Sequence, residues 1–188
     1  MNQEDLFYKL IYYAAPTLAK EKPASLVNLK DDIEPLHTLW HQYKDSLTVS
    51  YIELKVSSTR TLVLLYNEDM LEDVLKCDLN QHFLKHFGYK QFDCKSALSL
   101  LKARFEEACP HEVGIFLGYP LHDVKCFANC TKRKCLAVGY WKVFYDLDVA
   151  LETFNRYDEK KAWMLSKIDS GLLPSEVLGV ALEYKEAI

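Results

Sequence analysis

Apolar residues recur at Leu6, Phe7, Leu10, Ile11 and Ala14, the three-and-four spacing of a helix. This pattern predicts a helix over 4–14, stopped by Pro16. Pro16 and Pro23 then frame a defined loop, and Ser25–Leu29 predicts a short strand. A second helix is predicted over 33–45, burying Ile33, Leu36, Trp40 and Tyr43. Residues 48–56 alternate apolar with polar, and 61–66 are nearly all apolar. With Ser57–Arg60 between them, they predict a hairpin of one half-exposed and one central strand. Helices follow at 67–76, 79–87 and 94–108, with Gly88 just past the middle one. His111–Leu117 reads as a buried strand, Gly118-Tyr119-Pro120 as a turn, and the next stretch as a helix running to about 126–129. Val138–Tyr145 reads as a fifth strand. A long helix over 147–168 ends at Gly171, and Pro174 opens a last one with Val177, Leu178, Ala181 and Tyr184 on one face.

No repeat, linker or low-complexity stretch interrupts this series. The expected architecture is α/β or α+β: one domain over residues 1–188, with a mixed sheet of about five strands including one hairpin, flanked by seven or eight helices. The strand–helix–strand unit at 111–145 is the place for a parallel crossover, and an antiparallel arrangement is its alternative.

Charge narrows the partners. Lys plus Arg is 23 against 27 for Asp plus Glu, a net charge of −4, where a nucleic-acid binder carries a basic face. The one dense basic cluster, Lys132-Arg133-Lys134, has the composition of a solvated loop. No apolar run approaches the length of a bilayer span. The opening Met-Asn-Gln-Glu-Asp lacks the basic start of a signal peptide. The chain is therefore expected to be cytoplasmic, without nucleic-acid or membrane partners, and its six cysteines reduced.

Candidate chemistry concentrates in three blocks. In the first, His111 or Glu112 is placed to act as acid or base. Gly114 in mid-strand marks a close approach of backbone or ligand, and Gly118, Tyr119 and Asp123 lead into a helix N-terminus. The second runs through Pro16, Thr17, Lys22 and Ser25. The third is Gly139, Trp141 and Lys142, where Trp141 offers a floor for a flat ligand. Neither a dinucleotide fingerprint nor a phosphate-binding loop is present. Cys126, Cys130 and Cys135, with His122 before them, have thiolate and imidazole donors at a spacing that matches no common zinc motif. His37/His41 and His82/His86 each lie four apart on a predicted helix, without the Glu of a metalloprotease motif. Cys109 lies two residues from His111, close enough on an extended chain for a thiolate–imidazolium pair; a buried inert thiol is the plainer reading.

These blocks resemble a known family. Ala14-Ala15-Pro16-Thr17-Leu18 through Lys22-Pro23-Ala24-Ser25-Leu26, then His111-Glu112-Val113-Gly114-Ile115-Phe116-Leu117-Gly118-Tyr119-Pro120 with Asp123-Val124, and Gly139-Tyr140-Trp141-Lys142-Val143-Phe144 are similar to three blocks of domain of unknown function 3793, in the same order. The resemblance implies a cytoplasmic, single-domain protein of clostridia and related anaerobic bacteria. It brings no activity, substrate or cofactor with it.

Three functional readings remain open. The first is a small-ligand-binding protein or enzyme whose site lies where the three blocks meet. The second is a metal-, haem- or flavin-linked redox protein, resting on six Cys and six His. The third is a non-catalytic interaction module. Cofactor, substrate and oligomeric state are not legible.

Overall fold

A computed structural model describes residues 2–31, 35–129 and 133–179. Helix α1 (Gln3–Leu18) opens at Asn2, whose side chain accepts from the Glu4 N–H while Asp5 accepts from the Asn2 N–H. Strand β1 (Ala24–Lys30) follows, then α2 (Leu36–Tyr43), a short 3-10 turn over Lys44–Ser46, and the hairpin β2 (Ser50–Val56) and β3 (Arg60–Tyr66). Helices α3 (Glu68–Lys76), α4 (Asp78–Lys85), α5 (Cys94–Glu107), α6 (Val113–Phe116) and α7 (Leu121–Asn129) come next. A two-stranded ribbon, β4 (Ala137–Val138) and β5 (Lys142–Val143), leads into the long α8 (Leu147–Asp169) and the short α9 (Pro174–Leu178).

The main sheet has the order β1-β3-β2, antiparallel throughout, and β3 is central as its apolar run demands. Both faces are covered. On one, Val27, Leu29, Val63 and Leu65 pack against Leu6, Phe7, Leu10 and Ala14 of α1 and Leu36, Leu39 and Trp40 of α2. On the other, Ala24, Leu54 and Leu64 meet α3 to α7 through residues such as Leu71, Leu84, Leu101 and Phe116. A second stripe of α1, Ile11 and Ala15, packs on Met164 of α8. Glu4 of α1 accepts from the Ser175 backbone N–H and hydroxyl at 2.9 and 2.8 Å, tying α9 to the start of the chain.

Three expectations are corrected. Pro16 does not stop α1; the helix runs on to Leu18. The missing proline N–H costs one bond near the end of a helix buried on two sides. The chain turns later, at Lys20 in the left-handed region (φ 57°), and the Pro16 carbonyl accepts from the N–H groups of Glu21 and Lys22 at 2.8 and 3.1 Å. Second, His111–Leu117 is not a strand but a turn followed by α6. A short apolar run has no period to separate strand from buried helix. Helical winding sends Glu112, Ile115 and Phe116 into the core together, where alternation would have split them. Third, Val138–Tyr145 breaks at Gly139–Trp141 into the ribbon, so the parallel crossover is absent among the described residues. Ile33, Ala181 and Tyr184 lie outside the described residues.

Gly118 joins two of the sequence blocks. It has φ +75°, and a Cβ there would sit 2.6 Å from Cγ of Pro23. Gly118→Ala is expected to destabilise the protein by about 2–3 kcal/mol, from backbone strain and overpacking together, read as a lower urea midpoint at unchanged slope.

Candidate functional site

The fold brings the three blocks to one place. The Pro16–Ser25 turn leaves α1, the Leu117–Tyr119 turn passes beneath it at Gly118, and the β4–β5 ribbon closes the side. Between them and α8 lies an open cleft of about 640 Å³. Its walls are largely aromatic: Tyr12 and Tyr13 from α1, Tyr119, Tyr140, and Phe154 from α8. On the far side of Tyr119, Val138 and Gly139 is a smaller apolar cavity of about 300 Å³, reaching Cys109, His111, Gly114, Trp141 and Lys142. Gly139 must be glycine here, since a Cβ would collide with the Phe154 ring.

Lys22 is the unusual group. It lies on the cleft wall and is only 4% exposed. Its ammonium sits 5.2 Å from the centre of the Tyr119 ring and 5.9 Å from that of Tyr140. Among the described residues no carboxylate and no hydrogen-bond acceptor pairs with it. Burial alone lowers its pKa from the ordinary 10.5 to about 8. The aromatic faces recover part of the lost hydration. The neighbouring carboxylates are committed elsewhere: Glu21 lies 3.4 Å from Arg156 and 3.3 Å from Lys160, and Asp158 accepts from the Tyr140 hydroxyl at 2.8 Å. Burial also pushes the Tyr119 phenol up to about 12 and raises that of Tyr140.

Other candidates turn out to be supports. Asp123, 2% exposed, accepts from Trp141 Nε1 at 2.8 Å and from the Phe144 and Tyr145 N–H groups at 2.9 and 3.2 Å, pinning the ribbon to α7. Thr17 and Ser25 are buried and share a 2.8 Å hydroxyl–hydroxyl bond joining α1 to β1; Ser25 also reaches the cleft. Pro16 lines the cleft and aligns the turn that delivers Lys22.

His111 and Glu112 separate. Glu112 is fully buried, pairs with Arg104 of α5 and accepts from the Tyr89 hydroxyl at 3.5 Å; its Oε2 has no partner, and it lines neither hollow. His111 is exposed at the smaller cavity, its ring 5.3 Å from that of Phe127. The exposed Cys109 shares that cavity, and burial raises its pKa, the reverse of an activated thiolate. Among the described residues no three His, Cys, Asp or Glu gather closely enough to hold a metal. Cys126 is buried, Cys135 half-buried, His122 exposed near Asp146, and Cys130 and Lys132 lie outside the described residues. His37 and His41 both approach the Thr61 hydroxyl, at 2.8 and 3.4 Å, and His82 and His86 are on the surface.

The sequence reading missed Tyr12, Tyr13, Tyr140, Phe154, Asp158 and Lys161. A signal for the α8 part existed. Leu151, Phe154, Asn155, Asp158 and Lys161 keep a three-and-four spacing, and that stripe lines the cleft, with Phe154 also part of the small core beneath the ribbon.

Two outcomes follow from this geometry. Asp123→Asn turns one acceptor oxygen into a donor facing N–H groups, and is expected to cost about 1–3 kcal/mol and speed hydrogen exchange at the Phe144 amide. Lys22 is charged up to pH 10.5 when unfolded but only to about 8 when folded. It therefore costs about 3 kcal/mol below pH 8, a cost that fades toward pH 10.5. Lys22→Met is expected to be more stable than the native chain at pH 7, with the gap closing at pH 10, as measured by urea unfolding at both pH values.

No curated protein and no solved structure matches the chain. The family model described as protein of unknown function (DUF3793) matches residues 10–178, a span that holds all three blocks, and the chain belongs to that family.

Proposed function

We propose that the chain binds a small, flat, aromatic molecule in the cleft between α1, α8 and the ribbon, with a carboxylate or carbonyl oxygen of the ligand set on Lys22. One observation carries this reading: a lysine 4% exposed, on a cleft wall, with no counter-charge among the described residues. A buried cation without a partner is costly, and a site that keeps one gains most when an anion arrives. The surroundings suit the same ligand. Concave walls with both apolar surface and a few placed polar groups are the usual form of a small-molecule site, and the exposed Tyr12 and Tyr13 supply aromatic surface to it. Chains with this site need no long apolar helix, and none among the described residues is long and apolar enough to cross a membrane. A cytoplasmic setting, with its pool of small organic acids, fits the proposal.

An anion beside Lys22 raises the lysine's pKa again, so binding takes up a proton near pH 8 and weakens above it. The test is thermal unfolding with 4-hydroxybenzoate and its phenyl relatives at pH 7 and pH 9.5. The native chain is expected to gain several degrees at pH 7 and less at pH 9.5, and Lys22→Met to gain nothing at either. Equal gains for both chains overturn the role of Lys22, and no gain with any aryl carboxylate overturns the proposal.

A further inference from the structure

We infer that Lys22 is a covalent as well as an electrostatic contact: its amine condenses with the carbonyl carbon of an aromatic aldehyde or ketone held in the cleft, forming an imine. This rests on the reading of the cleft as a small-ligand site and names the chemistry it performs.

Four features carry the inference. Lys22 lines an open cleft, and its nitrogen lies within 6 Å of the centres of two rings that line it too, Tyr119 and Tyr140. No carboxylate holds it as an ammonium ion, because Glu21 is engaged with Arg156 and Lys160, and Asp158 with Tyr140. The other cation facing the cleft, Lys161, stands 3.4 Å from the centre of the Tyr12 ring at its rim. The aromatic rings flanking Lys22 and its burial strip hydration from the amine.

The chemistry balances without an oxidant or reductant. The neutral amine adds its lone pair to the carbonyl carbon, and the carbonyl π electrons move to oxygen, which takes a proton. The nitrogen gives up a proton, the hydroxyl leaves as water, and the C=N bond closes. From ammonium and aldehyde to protonated imine and water, no proton is gained or lost. The departing oxygen needs a proton donor, and burial keeps the Tyr119 phenol, whose ring lies beside the nitrogen, protonated across the neutral range. The amine itself, with a pKa of about 8, is about one-tenth neutral at pH 7, a far larger share than an exposed lysine has.

The experiment uses a matched pair of the same ring: 4-hydroxybenzaldehyde, which forms an imine, and 4-hydroxybenzoate, which does not. The intact chain is treated with the aldehyde and cyanoborohydride at pH 7.5, and the reduced adduct is located by peptide mapping. The expected result is one adduct, on Lys22, formed at least about tenfold faster than on the exposed Lys95 or Lys102. Its rate is half-maximal near pH 8, and 4-hydroxybenzoate slows it. Lys22→Arg removes the condensing amine and is expected to lose the adduct. Mapping on the native chain decides the question even if that variant fails to fold. If 4-hydroxybenzoate stabilises the native chain but Lys22 labels no faster than Lys95, the imine is overturned and the cleft reading survives. If neither compound acts on the native chain, both fall.

Discussion

A single buried carboxylate holds the site together. Asp123 gathers three N–H groups from Trp141, Phe144 and Tyr145 onto one side chain of α7. The β4–β5 ribbon has two residues per strand, too few to stand alone. Its attachment therefore comes from Asp123 and from the small core of Trp141, Val143, Ala150, Phe154 and Tyr157. Everything on the open side of the cleft follows from that anchor. Tyr140 reaches Asp158, Gly139 lets the ribbon lie against Phe154, and Tyr119 stands between the two hollows, its ring 5.2 Å from that of Trp141.

Against that anchored wall the chain places a group that weakens it. The main sheet, covered on both faces, supplies a large apolar core, and hydrogen bonds such as Thr17–Ser25 join α1 to β1. That rigidity lets Lys22 stay buried without a counter-charge, because the backbone on both sides of it is held. Pro16 fixes its N–H, and the Pro23 carbonyl accepts from Asn67 at 2.9 Å. Lys22 carries a local cost at a concave surface and Glu112 leaves one buried oxygen without a partner, whereas Asp123 is fully paired.

Much of the fold is legible in the sequence where periodicity is long. The hairpin over 50–66, α3, α5 and α8 all carry clear patterns, and each forms close to its expected bounds. The strand expected at His111–Leu117 failed because seven mostly apolar residues have no period, and the decisive contact, Glu112 with Arg104, is long-range and invisible locally. The same holds for the ribbon, whose break at Gly139 depends on Phe154 and Asp123 in other elements. For the site, the meeting of the Pro16–Ser25, Gly118–Asp123 and Gly139–Lys142 blocks was legible from their glycines and prolines. The separate roles of their members were not. Lys22 lies buried with no counter-charge among the described residues and Asp123 is fully paired, and burial and pairing are tertiary properties.

The tie between Glu4 and Ser175 spans almost the whole described chain, and α1 completes its packing only against α8 and α9. Contacts that distant in sequence raise the contact order, which slows folding. One wall of the cleft comes from each end of the described chain, so losing α8 and α9 would remove the cleft while both faces of the main sheet keep most of their cover.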